Sequence, residues 1–244
     1  MSETIPNIET FDVDSKQLQS INDVIAYADS ICLNESNTNN FDTSCFVKKV
    51  NEIIKKKFHL GVAHYSLKEN WIAALSGKLI WSHFSAIVHA DDILKHNVGL
   101  CNQQSIVFMK VLNTKGMSVR SLGLGYPQGP GHFACEVWYN NEWHLYDVSK
   151  EPNWHAVYNK NKSFEYYLNN KDTLYMLYNH QWPRQTFDKL ISRVVYGEVN
   201  ATPGLKMYWF QRITKWLTYF LPLLFLVLFL IQLRELNSKL RNKL

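Results

Sequence analysis

The chain has 244 residues, 46% of them hydrophobic and 14% aromatic, enough apolar material for one good-sized domain with extra segments. Its formal charge of +5 is unevenly spread. Seven Lys and Arg against the single Glu235 fall from Lys206 onward, leaving 19 basic and 20 acidic residues elsewhere. That balance speaks against a nucleic-acid-binding face on the globular part, whereas basic residues beside an apolar segment suit lipid headgroups.

Ser15 to Cys32 reads as an amphipathic helix, with Leu18, Ile21, Val24, Ile25, Ala28 and Ile31 on one face. A polar loop follows over 34–40. Phe46 to Phe58 reads as a second helix, in which Lys55, Lys56 and Lys57 form a solvated end. Trp71 to His89 is apolar and predicted helical. A polar stretch then runs from Asp91 to Gly99, whose glycine can take unusual backbone angles. From Cys101 the residues Ile106, Val107, Met109, Val111 and Leu112 recur at helical spacing, with Gly116 as a stop signal, so Cys101 falls in or near the first turn of a helix. Unpaired N–H groups and the positive end of the helix dipole favour a thiolate there, and the same N–H groups can hold a developing oxyanion. A small buried apolar residue is the competing reading of this cysteine.

Gly123 to Gly131 is rich in Gly and Pro and precedes His132, as a rim over a site or as an ordinary connection. His132 to Tyr139 and Glu142 to Val148 read as two strands. Asn140-Asn141 between them tolerates the positive φ of a tight hairpin. With a two-residue loop, Tyr139 faces Glu142, Trp138 faces Trp143 and Ala134 faces Asp147. His132 then shares a face with Asp147 as its diagonal neighbour. A three-residue loop would put the two on opposite faces. Cys101, His132 and Asp147 together supply a thiol nucleophile, an imidazole and an orienting carboxylate.

Phe164 to Tyr178 is aromatic and predicted helical, packing on the core or bordering a groove. Asn200-Ala201-Thr202 matches a glycosylation acceptor by coincidence in a chain predicted to lack a signal peptide. Ala201 to Gly204 reads as a linker. Trp216 to Leu233 then gives 18 uncharged residues, about 27 Å as a helix and close to a bilayer core. Trp209, Trp216 and Tyr219 fit an aromatic belt. Beyond it Leu233, Leu236, Leu240 and Leu244 keep helical spacing among basic residues, which suits a surface-lying helix or a partner-binding one.

The four cysteines (Cys32, Cys45, Cys101 and Cys135) are widely scattered and are expected as free thiols, Cys135 in the core. His83, His89 and His96 are spaced by six and seven residues, which puts no ligand pair on one helical face, so no metal and no cofactor is expected.

Three motifs, Gly99-Leu100-Cys101, Gly131-His132-Phe133-Ala134-Cys135-Glu136-Val137 and Trp143-His144-Leu145-Tyr146-Asp147, resemble the transglutaminase-like superfamily of papain-related cysteine enzymes, in its bacterial-type single-domain form. Gly116 to Leu122 resembles the strand that follows the cysteine helix in that family, and the likeness spans about residues 70–150. The resemblance implies an α+β fold with N-terminal helices and a cysteine helix packed on a small antiparallel sheet. It also implies an acyl-enzyme mechanism with Cys101 as nucleophile, His132 as general base and acid, and Asp147 as orienter. A further oxyanion donor is expected from upstream, with Trp71 and Trp81 as candidates. There is no Cys-x-x-Cys pair for the zinc site of the family's deglycosylating branch.

The domain plan expected from all this is an N-terminal helical region over 1–60, a transglutaminase-like core over 61–200, a linker and juxtamembrane segment over 201–215, a transmembrane helix over 216–233 and a basic amphipathic tail over 234–244. The function expected is a membrane-anchored peptidase or amidase acting on a protein or peptide substrate, its domain facing the cytoplasm. The alternatives are a non-catalytic membrane-tethered protein that binds a peptide or partner, and an amine-crosslinking acyltransferase of envelope or surface-polymer assembly.

Overall fold

The computed structural model describes residues 14–35, 42–125, 131–150, 152–157 and 161–241. The expected polar loop over 34–40 and the Gly/Pro-rich rim over 123–131 fall largely outside them, as does Leu244 of the tail. In chain order the helices and strands are α1 (Ile21–Glu35), α2 (Thr43–Lys57), α3 (Leu67–Leu79), α4 (Ala90–Leu94), α5 (Cys101–Thr114), β1 (Ser118–Leu124), β2 (His132–Tyr139), β3 (Glu142–Tyr146), α6 (Phe164–Leu168), α7 (Lys171–Tyr178), α8 (Arg184–Ile191), β4 (Val194–Tyr196) and α9 (Leu205–Arg241). The chain divides into two units, one of residues 1–63 with 88–203 and one of residues 64–87 with 204–244.

The first unit is built on a four-stranded antiparallel sheet in the order β3-β2-β1-β4. The β2–β3 hairpin turns on Asn140 and Asn141 at φ 50° and 63°, the doubly left-handed turn whose twist matches that of the strands. Tyr139 pairs with Glu142 and Trp138 with Trp143, the two-residue register. One sheet face carries Val119, Cys135, Val137 and Tyr146, and α5 lies on the sheet with Val107, Phe108, Val111 and Leu112 buried. Alternation sends Leu122, Leu124, Ala134 and Leu145 to the other face, into a cluster with Phe164, Tyr167, Leu174, Leu177, Tyr178, Phe187, Leu190 and Ile191 from α6, α7 and α8.

Several expectations change. Cys32 of α1 and Cys45 of α2 are joined in a disulfide, so the four cysteines are not all free; Cys101 and Cys135 are. The cause is tertiary: α1 and α2 pack side by side and bring the two Cα atoms to 6.0 Å. Lys57 is buried rather than solvated, and that burial pushes its ammonium pKa down. The helix expected over Phe164–Tyr178 is two, because Asn170 caps the second by accepting from the Thr173 N–H at 3.1 Å. Neither α8 nor the edge strand β4 was expected. Asn200 takes φ 60° and its Oδ1 accepts from Val119 N–H at 2.9 Å, so the side chain of the acceptor motif is held against β1.

In the second unit α3 covers less than the predicted Trp71–His89 helix and breaks locally at Asn70 (φ −158°, ψ 83°). Helix α9 starts at Leu205, directly after Gly204 at φ 65°, so most of the expected 201–215 linker is helical. Past that left-handed glycine no residue interrupts the helix until Pro222. Among the described residues, α9 is the helix long and apolar enough to cross a membrane, and its apolar part is almost wholly uncovered by protein.

Candidate active site

Cys101 is the first residue of α5. The loop before it is held from both sides. Gly99 N–H donates to the His59 carbonyl at 3.0 Å, and Gln104 Nε2 donates to the Gly99 carbonyl at 2.7 Å. A Cβ on Gly99 would sit 3.3 Å from Phe58 and Gln104, closer than side-chain carbons normally approach. Gln103 Oε1 accepts from Leu100 N–H and Ala63 N–H, and its Nε2 returns a bond to the Ala63 carbonyl. Buried amide side chains thus set where the helix begins, and with it the thiol.

His132 opens β2 and Asp147 follows β3, on the same face of the hairpin. His132 Nε2 is 2.5 Å from Asp147 Oδ2, with both side chains almost wholly buried. The second imidazole nitrogen is then the one available to the thiol, and Cys101 lies close enough to His132 for each to shift the other's titration. The Phe133 backbone amide also lowers the Cys101 thiol. The structure therefore joins His132 and Asp147 by a hydrogen bond and places Cys101 within electrostatic reach of both.

The electrostatics favour charge separation. Burial pushes the Cys101 thiol up, but the hydrogen bond and positive charge of His132 outweigh it and the thiol ends below its ordinary value. Burial also opposes the imidazolium, yet the charge and hydrogen bond of Asp147, with those of Cys101, raise His132 to about 10. Cys135 behaves in the opposite way: enclosed in the core, its thiol is pushed well up by burial.

Asp147 is held by more than the histidine. Its Oδ1 accepts from Lys150 N–H at 2.9 Å and from the Ser149 N–H and hydroxyl at 3.3 Å, which closes the turn after β3. Its Oδ2 also accepts from the Tyr178 hydroxyl at 3.2 Å. The Trp182 ring meets His132 edge-on at 5.0 Å between centroids and is itself 5.3 Å from Tyr178. Sequence reasoning missed Tyr178 and Trp182. The signal was present in the aromatic run around α7, but nothing local ties it to Asp147, 31 residues earlier. Trp71 and Trp81, the candidate oxyanion donors, fall in the second unit. Trp71 donates its indole N–H to the Thr218 carbonyl, and Trp81 stacks on His83. Among the described residues no group of three His, Cys, Asp or Glu is placed to hold a metal ion.

No family model and no curated protein matches the chain. A solved structure described as "Crystal structure of a TGase" aligns over 67% of this chain at 14% identity and a TM-score of 0.37; the chain spans 38% of that protein. A likeness at that level leaves the assignment to the site's own geometry.

Proposed function

We propose that this chain is a membrane-anchored cysteine enzyme of transglutaminase-like type that cleaves amide bonds in a protein or peptide through an acyl-enzyme. The observation that carries the reading is Cys101 at the start of a helix, within electrostatic reach of a buried His132 that is hydrogen-bonded to Asp147. In the first half-reaction the Cys101 thiolate adds to the amide carbonyl carbon. The N–H groups of the first turn of α5 face the developing oxyanion. His132 gives its proton to the leaving nitrogen, the C–N bond breaks, and a thioester and a free amine result. In the second, His132 takes a proton from water, the hydroxide oxygen bonds to the acyl carbon, and the thiolate leaves with a carboxylic acid released. Asp147, bonded to His132 Nε2, keeps the imidazole in the orientation that faces the sulfur. An amine in place of water would give a crosslink; hydrolysis is favoured because water needs no acceptor site.

The apolar length of α9 supports a single membrane anchor. The Cys32–Cys45 disulfide favours an oxidising compartment for the domain, the reverse of the cytoplasmic facing expected from sequence. Incubating the full-length protein in detergent with a mixed peptide library tests the activity. New peptide termini should appear with the wild type and be lost with Cys101→Ala and with His132→Ala. Equal cleavage by Cys101→Ala would refute the proposal.

A further inference from the structure

Asn70 is fully buried within the second unit and uses both ends of its amide. Its Nδ2 donates to the Gln211 carbonyl at 3.1 Å and the Thr214 hydroxyl at 3.0 Å. Its Oδ1 accepts from the Ala73 N–H at 3.1 Å and the Thr218 hydroxyl at 3.2 Å. Gln211 in turn donates to the Ala86 carbonyl at 2.6 Å. Pro222 has no N–H, so the carbonyl of Thr218, four residues earlier, has no helical donor. The Trp71 indole N–H reaches that carbonyl at 3.3 Å. Helix α3 is therefore fixed to α9 along Gln211, Thr214 and Thr218, one polar stripe that ends just inside the uncharged run from Trp216 to Leu233. Unpaired backbone groups in a membrane helix are satisfied by neighbours in this way.

Attachment at that level has a consequence. If α9 crosses a bilayer, Asn70 and Trp71 hold the first part of α3 at the height where headgroups meet acyl chains. The part of this segment turned away from α9 is apolar: Leu75 is exposed, and Leu79, Ile80 and Trp81 are 76%, 76% and 52% exposed in succession. Lys68 and Lys78 are exposed on α3, and Arg212, the half-buried Lys215 and the exposed Trp209 and Trp216 lie on α9 before and at the start of the uncharged run. Tryptophans with cationic side chains are the composition of a membrane interface, and the positive charge complements anionic headgroups.

We infer that residues 75–81 form a second membrane contact, an apolar wedge held by the Asn70 and Trp71 clamp so that it seats in the interfacial layer of an anionic bilayer beside α9. This rests on the membrane-anchor reading of α9. The test is the full-length protein in vesicles of phosphatidylcholine and phosphatidylglycerol doped with a phosphatidylcholine carrying a photoactivatable group near its glycerol, followed by peptide mapping. Adducts on 75–81 as well as on 216–233 are expected. Leu79→Glu with Ile80→Glu should cut the first about tenfold or more, since burying large apolar side chains drives the contact, and leave the second unchanged. Adducts on 216–233 alone would overturn the inference while leaving the anchor intact, and adducts on neither would overturn both.

Discussion

Replacing Asp147 by Asn should reverse the protonation of the site while sparing its fold. The variant's Oδ1 still accepts from the Lys150 and Ser149 N–H groups, so the turn after β3 keeps its bonds. At the place of Oδ2 an NH₂ group now faces His132 Nε2, in a site from which both side chains exclude water. The amide can only donate there, so Nε2 must accept, and the ring proton sits on the nitrogen available to the thiol. That imidazole cannot take the thiol proton. The burial that opposes the imidazolium meanwhile loses the carboxylate that offset it. Removing an opposite charge at this range is worth about 1–3 pKa units, or about 1.4–4 kcal/mol, which corresponds to a roughly 10- to 1,000-fold smaller thiolate population at neutral pH. The assay is the rate of Cys101 alkylation by iodoacetamide from pH 5 to 11, with intact mass to count labels and circular dichroism to verify folding. Cys135, enclosed in the core, should stay unlabelled in both proteins. The wild-type profile should rise at lower pH than that of a free thiol, and the variant's should move to higher pH. An unmoved profile in a folded variant would refute the coupling of Asp147 to Cys101 through His132.

Four further outcomes follow from the same structure. The thiolate–imidazolium pair needs the thiol ionised, which its lowered pKa favours, and the imidazole protonated, which holds until about 10. Amide cleavage should therefore fall on the alkaline side near pH 10. Because His132 is raised from 6.5 to about 10, its contribution to stability is complete below 6.5 and disappears through about 10, visible as a falling melting temperature over that window that is absent in His132→Gln. Reducing the Cys32–Cys45 bond, which closes a loop over a separation of 13 residues, should cost about 3 kcal/mol on chain-entropy grounds; a reductant that leaves the denaturation midpoint unchanged would contradict it. Trp71→Phe should cost roughly 1–3 kcal/mol by orphaning the Thr218 carbonyl. In a Pro222→Ala background, where the new N–H serves that carbonyl, the cost should vanish; equal costs in the two backgrounds would show that the indole bond is not answering the proline.

What could be read from the chain followed local rules. Asn140-Asn141 announced the turn, and a period of two then decided that His132 and Asp147 share a face. Gly99 before an apolar helical repeat placed Cys101 on a first turn. The contacts that escaped are those between elements far apart in sequence. The Cys32–Cys45 bond depends on how α1 lies against α2, the Tyr178 hydroxyl reaches Asp147 only after α7 folds over the sheet, and Asn70 meets Thr214 across 144 residues. Strand β4 has only three residues and gains its identity from pairing with β1, where no period is long enough to see. Lys57 sat in a basic run that pattern reading assigns to water, and only the packing of α2 shows it buried.

The most direct measurement is acid quenching of full-length protein mixed with a peptide ester or amide substrate, followed by mass spectrometry of the digested chain. The account predicts one acyl group in thioester linkage on the peptide that begins at Cys101, released by neutral hydroxylamine and absent in Cys101→Ala. Turnover with no acyl group on Cys101, or an acyl group retained in Cys101→Ala, would contradict it.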